Sequence, residues 1–281
     1  MSFSAGVRRQ GIIRGRSWPI HVLLVLVTLA IGFPLVYAAL ISTQGNPDIF
    51  AFKLTPGDKL AQHFDDVWVG RNLGRSMWNS TVQSVLITVA KTILSLAAGL
   101  AFVYFRFRGK WLVFFFVLVT LMMPTEVMIL ALFRLVSSLG WQNTMTALVV
   151  PFAASATGAF LFRQHFSNLP SELAEAAQVD GASPIQFLTK ILIPVSWNAI
   201  GALAVIQFVY GWNMYLWPVL IISDQKNQVI QVALQNLQGI DVGLTYGPLM
   251  LAALLASIPP AIIFILLQKQ FMSGFSIGAD K

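Results

Sequence analysis

The chain has 281 residues, of which 57% are hydrophobic and 10% are charged, and its mean hydropathy is +0.74. Because soluble domains carry about 25% charged residues, this composition excludes an ordinary soluble protein. The absence of cysteine excludes disulfides and thiolate metal sites, and the distribution of the net charge of +7 indicates membrane orientation rather than nucleic-acid binding.

The hydropathy pattern predicts an all-α integral membrane protein with six transmembrane helices, because apolar runs of about 20 residues recur along the chain. A short N-terminal segment, 1–18, precedes a single six-span domain, 19–281. The predicted spans are about 19–42, 80–105, 111–133, 145–162, 199–222 and 248–268. Prolines inside the runs predict kinked or broken helices. These prolines are Pro124, Pro218, Pro259 and Pro260.

The basic residues predict the orientation of these spans. Four arginines between residues 8 and 16 precede the first span, and three basic residues fill the turn 106–110 between the second and third. By the positive-inside rule both clusters are cytoplasmic. Six spans then place both termini and the loop 163–198 in the cytosol. The opposite face is predicted to hold 43–79, 134–144 and 223–247.

Residues 171–194, SELAEAAQVDGASPIQFLTKILIP, form a polar stretch between the fourth and fifth predicted spans. Ser171 is a candidate N-cap, and the acidic residues that follow it suit the positive end of a helix dipole. Gly181 supplies a left-handed residue that is expected to end the first helix near Asp180. Pro194 is expected to end the second helix.

The second helix of this stretch has its own start signal. Ser183 stands in the cap position and Pro184 in the first helical position, and Gln186 can reach back to the cap. An apolar stripe at helical spacing follows. It consists of Ile185, Leu188, Ile191 and Leu192. By themselves these features also fit a DNA-binding helix-turn-helix, an amphipathic connector or a helix lying on the membrane surface.

Polar residues inside the predicted spans are the next signal, because lipid penalises them. Lys91 lies near the middle of the second span, and Glu126 follows Pro124 in the third. Lys91 and Glu126, together with polar and aromatic residues of the fifth span, indicate a pathway for a solute. The candidates for that pathway are Lys91, Gln207, Tyr210, Asn213 and Tyr215. An internal pair of Lys91 with Glu126, and hydrogen bonds between helices, are the alternative interpretation.

The sequence carries no motif for ATP hydrolysis or metal catalysis. It lacks the phosphate-binding loop GxxxxGK[ST] and the zinc motif HExxH. Its three histidines are far apart and form no metal-ligand motif. They are His21, His63 and His165. The chain is therefore predicted to be a transport subunit without a cofactor of its own, and ATP-driven transport would need a separate ATPase.

The spacing Glu175-Ala176-Ala177, then Gly181, then nine residues to Ile191, closely resembles the EAA loop of binding-protein-dependent ABC import permeases of the sugar type. In that family the loop docks the membrane subunit onto an ATPase. The resemblance implies a type I (MetI-like) permease fold with a coupling loop at 163–198. The ATPase contacts it implies are Glu175, Ala176, Ala177, Asp180, Gly181, Ile191 and Pro194.

Longer stretches of sequence resemble, more narrowly, the branch of the family that imports sn-glycerol-3-phosphate. They are 105–107, 120–127, 154–157, 160–164, 210–213 and 215–218. The expected solute is this phosphate or a related glycerophosphodiester, and a sugar or sugar alcohol is the alternative. An ion-coupled secondary transporter is a further alternative, although the inverted repeats that it predicts are not visible.

The family also implies partners and a location. It implies a heterodimer with a second permease subunit, two ATPase subunits that hold ATP and magnesium, and an external substrate-binding protein. The expected location is the bacterial inner membrane, crossed several times, with both termini in the cytosol. No nucleic-acid partner is expected.

Overall fold

The protein is described from a computed structural model that covers the backbone of residues 18–238 and 245–276. Within these ranges the chain is helical apart from turns and short connections, and contains no β-strand. The predicted all-α class is therefore confirmed. Apart from Trp18, the segment 1–18 lies outside the described residues. So do the side chains of Thr125, Glu126 and residues 273–276.

The first half of the bundle is organised around a long helix, α4. The first four helices are α1 (Trp18–Ile41), α2 (Asn46–Phe50), α3 (Leu60–Asp65) and α4 (Leu73–Tyr104). α4 begins at Leu73 rather than at residue 80, directly after Asn72 in a left-handed conformation. Its first turns are held by a segment that is distant in the sequence, because Arg75 Nε and Asn79 Nδ2 both donate hydrogen bonds to the carbonyl of Lys226.

The predicted third span, 111–133, is divided into two helices. They are α5 (Lys110–Leu121) and α6 (Thr125–Ser138). The break falls at Pro124, whose backbone is extended with φ −64° and ψ 129°. Proline has no N–H for a helix and obstructs the preceding turn, so the predicted break at this proline is confirmed.

The predicted fourth span is bent rather than straight. Its helices are α7 (Met145–Val149), which continues as a 3₁₀ turn (Val150–Phe152), and α8 (Ala156–Ser167). The two halves meet at an angle of 43°. Ser155 restarts the helix, because its Oγ accepts a hydrogen bond from Gly158 N at 3.1 Å.

The polar stretch after α8 forms two short helical pieces before the next long helix. It contains α9 (Glu172–Val179), α10 (Pro184–Phe187), a π-helical turn (Leu188–Leu192) and α11 (Ile193–Val195). α12 (Trp197–Trp212) then leaves at 82° to the segment Pro184–Val195. The segment Pro184–Val195 therefore lies across the direction of α12 rather than continuing it.

The last part of the chain closes the bundle. It contains α13 (Leu216–Ile221), α14 (Ile230–Asn236) and α15 (Tyr246–Ser276). The predicted fifth span is broken, since helix is absent at residues 213–215. Among the described residues, three helices are long and apolar enough to cross a membrane, or up to five if each bent pair is one span. The number six remains a prediction.

The long helices pack through close contacts at small residues. α4 contacts both α8 and α12, and α12 contacts α15. Gly99 on α4 allows the approach to α8, because a Cβ at this position would lie 2.7 Å from Cβ of Phe162. A buried apolar cluster beneath the polar stretch joins these helices. It includes Leu96, Leu100, Phe162, Phe166, Ala177, Phe187, Leu192, Ile200 and Leu203.

The described loops group at two ends of the bundle. At one end, Asn143 Oδ1 accepts from Ser223 N at 2.7 Å, and Tyr246 N donates to Asn46 Oδ1 at 3.2 Å. These bonds join the three loops predicted to share one face. At the other end, Phe105, which directly precedes the basic turn 106–110, lines a small cavity of about 110 Å³ together with Ala174 of α9.

Candidate functional site

An open cavity of about 570 Å³ lies where α12 ends and α13 begins. Three predicted pathway residues, Tyr210, Asn213 and Tyr215, line it together. The remaining lining residues are apolar or aromatic. They are Ile129, Phe152, Ile206, Val209, Met214, Leu216 and Trp217. The break at residues 213–215 opens this site, since unwound backbone is tolerated in a membrane where it lines a cavity.

Asn213 presents an amide to this cavity. Its Nδ2 donates to the carbonyl of Val209 at 2.9 Å, and its Oδ1 accepts from Gln231 Nε2 at 3.2 Å. Asn213 is exposed, whereas Met214 beside it is buried. The amide is thus held in place by two neutral partners and is open to a solute.

Lys91 lies behind the wall of the cavity. Its Nζ donates to Gln207 Oε1 at 2.9 Å and lies 4.1 Å from the centre of the Tyr210 ring. The lysine is 7% exposed and the glutamine 5%. Cation–π contacts of this kind strengthen when they are desolvated. The structure therefore unites three of the predicted pathway residues, although they come from two helices.

The proposed pairing of Lys91 with Glu126 falls on a side chain outside the described residues. The two contacts that the structure gives Lys91 are with an amide oxygen and an aromatic ring, neither of which carries a charge. Gln207 extends this network to a third helix, since its Nε2 lies 3.5 Å from Oγ of Ser155. Ser155, which the sequence reasoning missed, is thus both a helix cap and a network member.

The turn of the coupling loop has the geometry expected from its sequence. Gly181 has φ +67°, its N–H donates to the carbonyl of Gln178 at 3.1 Å, and Ala182 N donates to the carbonyl of Ala177 at 2.9 Å. This pair of bonds is the Schellman motif of a helix that ends in a left-handed residue. The helix ends at Val179, as the prediction required.

The start of α10 is also confirmed. Ser183 Oγ accepts from Gln186 N at 3.3 Å, and Gln186 Oε1 accepts from Ser183 N at 2.8 Å. These reciprocal bonds form a capping box. Pro184 occupies a position where no N–H is needed.

One local prediction for this loop is wrong. Ser171 has helical angles and makes no side-chain cap, because the chain already turns at Pro170, whose carbonyl accepts from Leu173 N at 3.3 Å. The second helix continues for one residue past Pro194 and ends at Val195, where the chain bends by 82° into α12. The predicted end of this helix at Pro194 is therefore confirmed to within one residue.

The residues predicted to couple to an ATPase differ in their exposure. Glu175, Ala176 and Asp180 are exposed, whereas Ala177 is 5% exposed within the buried cluster under the loop. The predicted apolar stripe is similarly divided. Ile185 is 71% exposed, but Leu192 is fully buried. Of the remaining predicted contacts, Ile191 is half-buried, and Gly181 and Pro194 are exposed.

A hydrogen bond that sequence reasoning missed connects the end of α8 to the residue directly before α12. His165 Nε2 and Ser196 Oγ are 3.0 Å apart, and Ser196 is fully buried at the junction where α12 begins. No sequence signal pointed to this pair. Within the described residues, no group of three or more histidine or acidic side chains is arranged to hold a metal ion.

Comparison with known proteins identifies the family. The family described as "Binding-protein-dependent transport system inner membrane component" matches residues 91–276. The chain belongs to this family. It is therefore a membrane component of a binding-protein-dependent ABC transporter, a transport subunit rather than an enzyme, and crosses the inner membrane several times. This membership also removes the ion-coupled secondary transporter as an alternative.

Full-length relatives agree with the family. The chain is 38% identical over 264 residues to the sn-glycerol-3-phosphate transport system permease protein UgpE of Brucella melitensis biotype 1, covering 90% of this chain and 94% of the relative. The protein of the same name from Agrobacterium fabrum is 37% identical with the same coverage. Both similarities extend through the cavity and the coupling loop.

A solved structure shows the same fold. The crystal structure of a bacterial ABC transporter involved in the import of the acidic polysaccharide alginate contains a chain that superposes with a TM-score of 0.79. The two sequences are 20% identical, and the superposition covers 95% of this chain and all of the alginate transporter chain. At this identity the likeness establishes the fold of an ABC permease.

Proposed function

We propose that the chain is one of two permease subunits of an ATP-driven importer that carries sn-glycerol-3-phosphate, or a related glycerophosphodiester, into the cytosol. The observation that carries the proposal is Lys91, a buried cation whose Nζ contacts the Tyr210 ring in the wall of the cavity. An anion inside a membrane needs such a positive charge, since an unpaired ion there is very costly. Two relatives named for this transport system, 37–38% identical, support the choice of solute.

The proposed complex has a second permease subunit, two ATPase subunits and an external substrate-binding protein. ATP and magnesium are bound by the ATPases. Six spans place both termini and the coupling loop 163–198 in the cytosol. In support, Phe105, directly before the basic turn, and Ala174 of the coupling loop line one cavity at the same end of the bundle.

The proposed coupling residues transmit ATPase movement to the membrane helices. The exposed side chains of Glu175, Ala176 and Asp180 contact the ATPase, and Gly181 sets the angle of the turn. Ala177 faces inward and transmits the movement to the cluster beneath the loop. Ile191 and Pro194 connect the loop to the start of α12. Closing of the ATPases then opens the permease pair outward, and hydrolysis resets it.

Uptake by the reconstituted importer tests this function. We expect ATP-dependent uptake of sn-glycerol-3-phosphate that glycerophosphodiesters inhibit and glycerol does not. A sugar or sugar alcohol is the second candidate solute, favoured by the rings of Tyr210, Tyr215 and Trp217 in the cavity wall. Uptake of an uncharged sugar without uptake of sn-glycerol-3-phosphate would reject the phosphate solute in favour of this candidate.

Reporter fusions test the topology independently. Fusions after Gly109 and after Ser183 should report a cytoplasmic location, and a fusion near Pro56 an external one. A cytoplasmic signal from the fusion near Pro56 would contradict the six-span topology.

A further inference from the structure

α4 carries a row of buried polar residues along one face, which we call the α4 polar stripe. Its members recur at helical spacing, so they share one side of the helix. They are Gln83, Ser84, Thr88, Lys91 and Ser95, with exposed fractions of 1%, 0%, 9%, 7% and 1%. The stripe adds four polar residues to the predicted pathway candidate Lys91.

Several polar atoms of the stripe are not satisfied. Gln83 Oε1, Ser84 Oγ and Ser95 Oγ are buried and have no hydrogen-bond partner within the described part of the chain. Leaving a buried polar group unpaired costs about 1–3 kcal/mol. Ser80, one turn earlier on the same face, differs, because its Oγ accepts a hydrogen bond from Ile230 N at 2.7 Å. The stripe is thus not explained by helix packing alone.

Residues at the end of α12, and Met214 in the break that follows it, separate Gln83, Ser84 and Lys91 of the stripe from the cavity. Ser95 lies at the far end of the stripe, where it packs against Gly158 of α8. Gln83 Nε2 contacts Met214 Sδ at 3.5 Å, and Lys91 Nζ lies over the ring of Tyr210. Both Met214 and Tyr210 line the cavity. Between them, Gly211 lies so close that a Cβ there would be 3.1 Å from Cα of Ser84. The polar stripe and the cavity therefore lie on opposite sides of the same wall.

The composition of this wall favours movement. Met214 is unbranched and adapts to different packing arrangements, and Gly211 presents no side chain to α4. A small shift or rotation of α12 away from α4 would open the stripe to the cavity. Its amide, hydroxyl and ammonium groups would then face the solute, and the unpaired atoms would gain partners.

We propose that the α4 polar stripe is an occluded subsite of the transport path, which receives the anionic and hydroxyl groups of the solute when α12 moves away from α4. Lys91 pairs with the anionic group, and Gln83 and Ser84 bond to its oxygens and to the hydroxyls. The chemical class of this solute, a phosphorylated polyol, rests on the proposed function. The existence of an occluded polar subsite rests on the unpaired atoms and their position behind the wall.

The absence of cysteine from the chain allows a direct test. The single substitution Ser84→Cys is made in the full importer, reconstituted with its binding protein. Reaction with a membrane-impermeant charged thiol reagent is measured on this chain without nucleotide and with ATP trapped by vanadate. Ser80→Cys is the matched control, because it lies on the same face and is equally buried but has a partner.

We expect Ser84→Cys to react at least about tenfold faster in one of the two states, and Ser80→Cys to remain unreactive in both. Added sn-glycerol-3-phosphate should slow the faster reaction. Equal rates in both states, or a state-dependent rate that the solute leaves unchanged, would overturn the inference. State dependence is measured without solute, and uptake by the unsubstituted importer separately reports whether the proposed solute is correct.

Discussion

Lys91 on α4 donates a hydrogen bond to Gln207 on α12 across 2.9 Å, joining residues that are 116 positions apart in the sequence. The partner is a neutral amide, and the ring of Tyr210 provides the second contact. A lysine inside a membrane is costly and marks a functional position by default. This geometry leads to the first prediction.

Lys91→Met should lower uptake of sn-glycerol-3-phosphate by at least about tenfold, because a hydrogen bond to a charged group contributes ~1.5–3 kcal/mol. Assembly of the complex should be retained. The double variant Lys91→Met with Glu126→Gln is the control. If Lys91 only neutralises Glu126, removing both charges does less harm than removing one. Recovery of uptake in the double variant would contradict a role of Lys91 toward the solute.

Asn213→Leu should lower uptake about tenfold or less, since one neutral hydrogen bond contributes ~0.5–1.5 kcal/mol. The reason is that the Asn213 amide faces the cavity and is anchored by Val209 and Gln231. Affinity of the external binding protein for the solute should not change. Asn213→Gln, which keeps the amide, is the matched variant and should retain more uptake. Full uptake by Asn213→Leu would remove this residue from the path.

Gly181→Val should uncouple or detach the ATPase while leaving the membrane helices inserted. The glycine has φ +67°, and a β-branched residue in the left-handed region costs about 1–2 kcal/mol and tilts the turn. ATPase retention during purification and solute-stimulated ATP hydrolysis are the measurements. Gly181→Asn should be tolerated, since asparagine enters this region more readily.

Two further variants make the Gly181 experiment specific. Gly140 has φ +70° and open space around it at the opposite end, so Gly140→Val introduces similar strain away from the coupling loop. It should leave the ATPase bound. Glu175→Lys should weaken ATPase binding by reversing an exposed charge. Normal coupling in both Gly181→Val and Glu175→Lys would contradict the docking assignment.

Gly99→Ala should destabilise the protein by about 1–3 kcal/mol through overpacking. A Cβ at Gly99 would lie 2.7 Å from Cβ and 3.1 Å from the backbone carbonyl carbon of Phe162. α8 must therefore move away from α4. Gly32→Ala on α1 is the control, because nothing lies within 4 Å of its Cβ position. Thermal unfolding in detergent should show a lower midpoint for Gly99→Ala than for Gly32→Ala, and equal midpoints would contradict the packing argument.

Local sequence was sufficient to predict those features whose hydrogen bonds join residues only a few positions apart. The Schellman motif at Gly181 and the capping box at Ser183 follow from residue types at fixed spacing, because each bond spans at most five residues. The break at Pro124 follows from the missing N–H. The EAA-type spacing also sufficed to indicate the family, which the comparisons confirm.

Tertiary structure alone decided which side of each helix meets which neighbour. Ala176 and Ala177 are adjacent and identical in type, yet one is exposed and the other is buried against the helices beneath the loop. The bond of Lys91 to Gln207 depends on the rotation and depth of two helices that are distant in sequence. Hydropathy in lipid does not fix helix rotation, because association there is driven by packing at small residues and by polar contacts between helices. Composition and spacing thus determined a membrane permease with a polar loop of short helices between its membrane segments, whereas packing decided which polar groups line the cavity and which lie behind its wall.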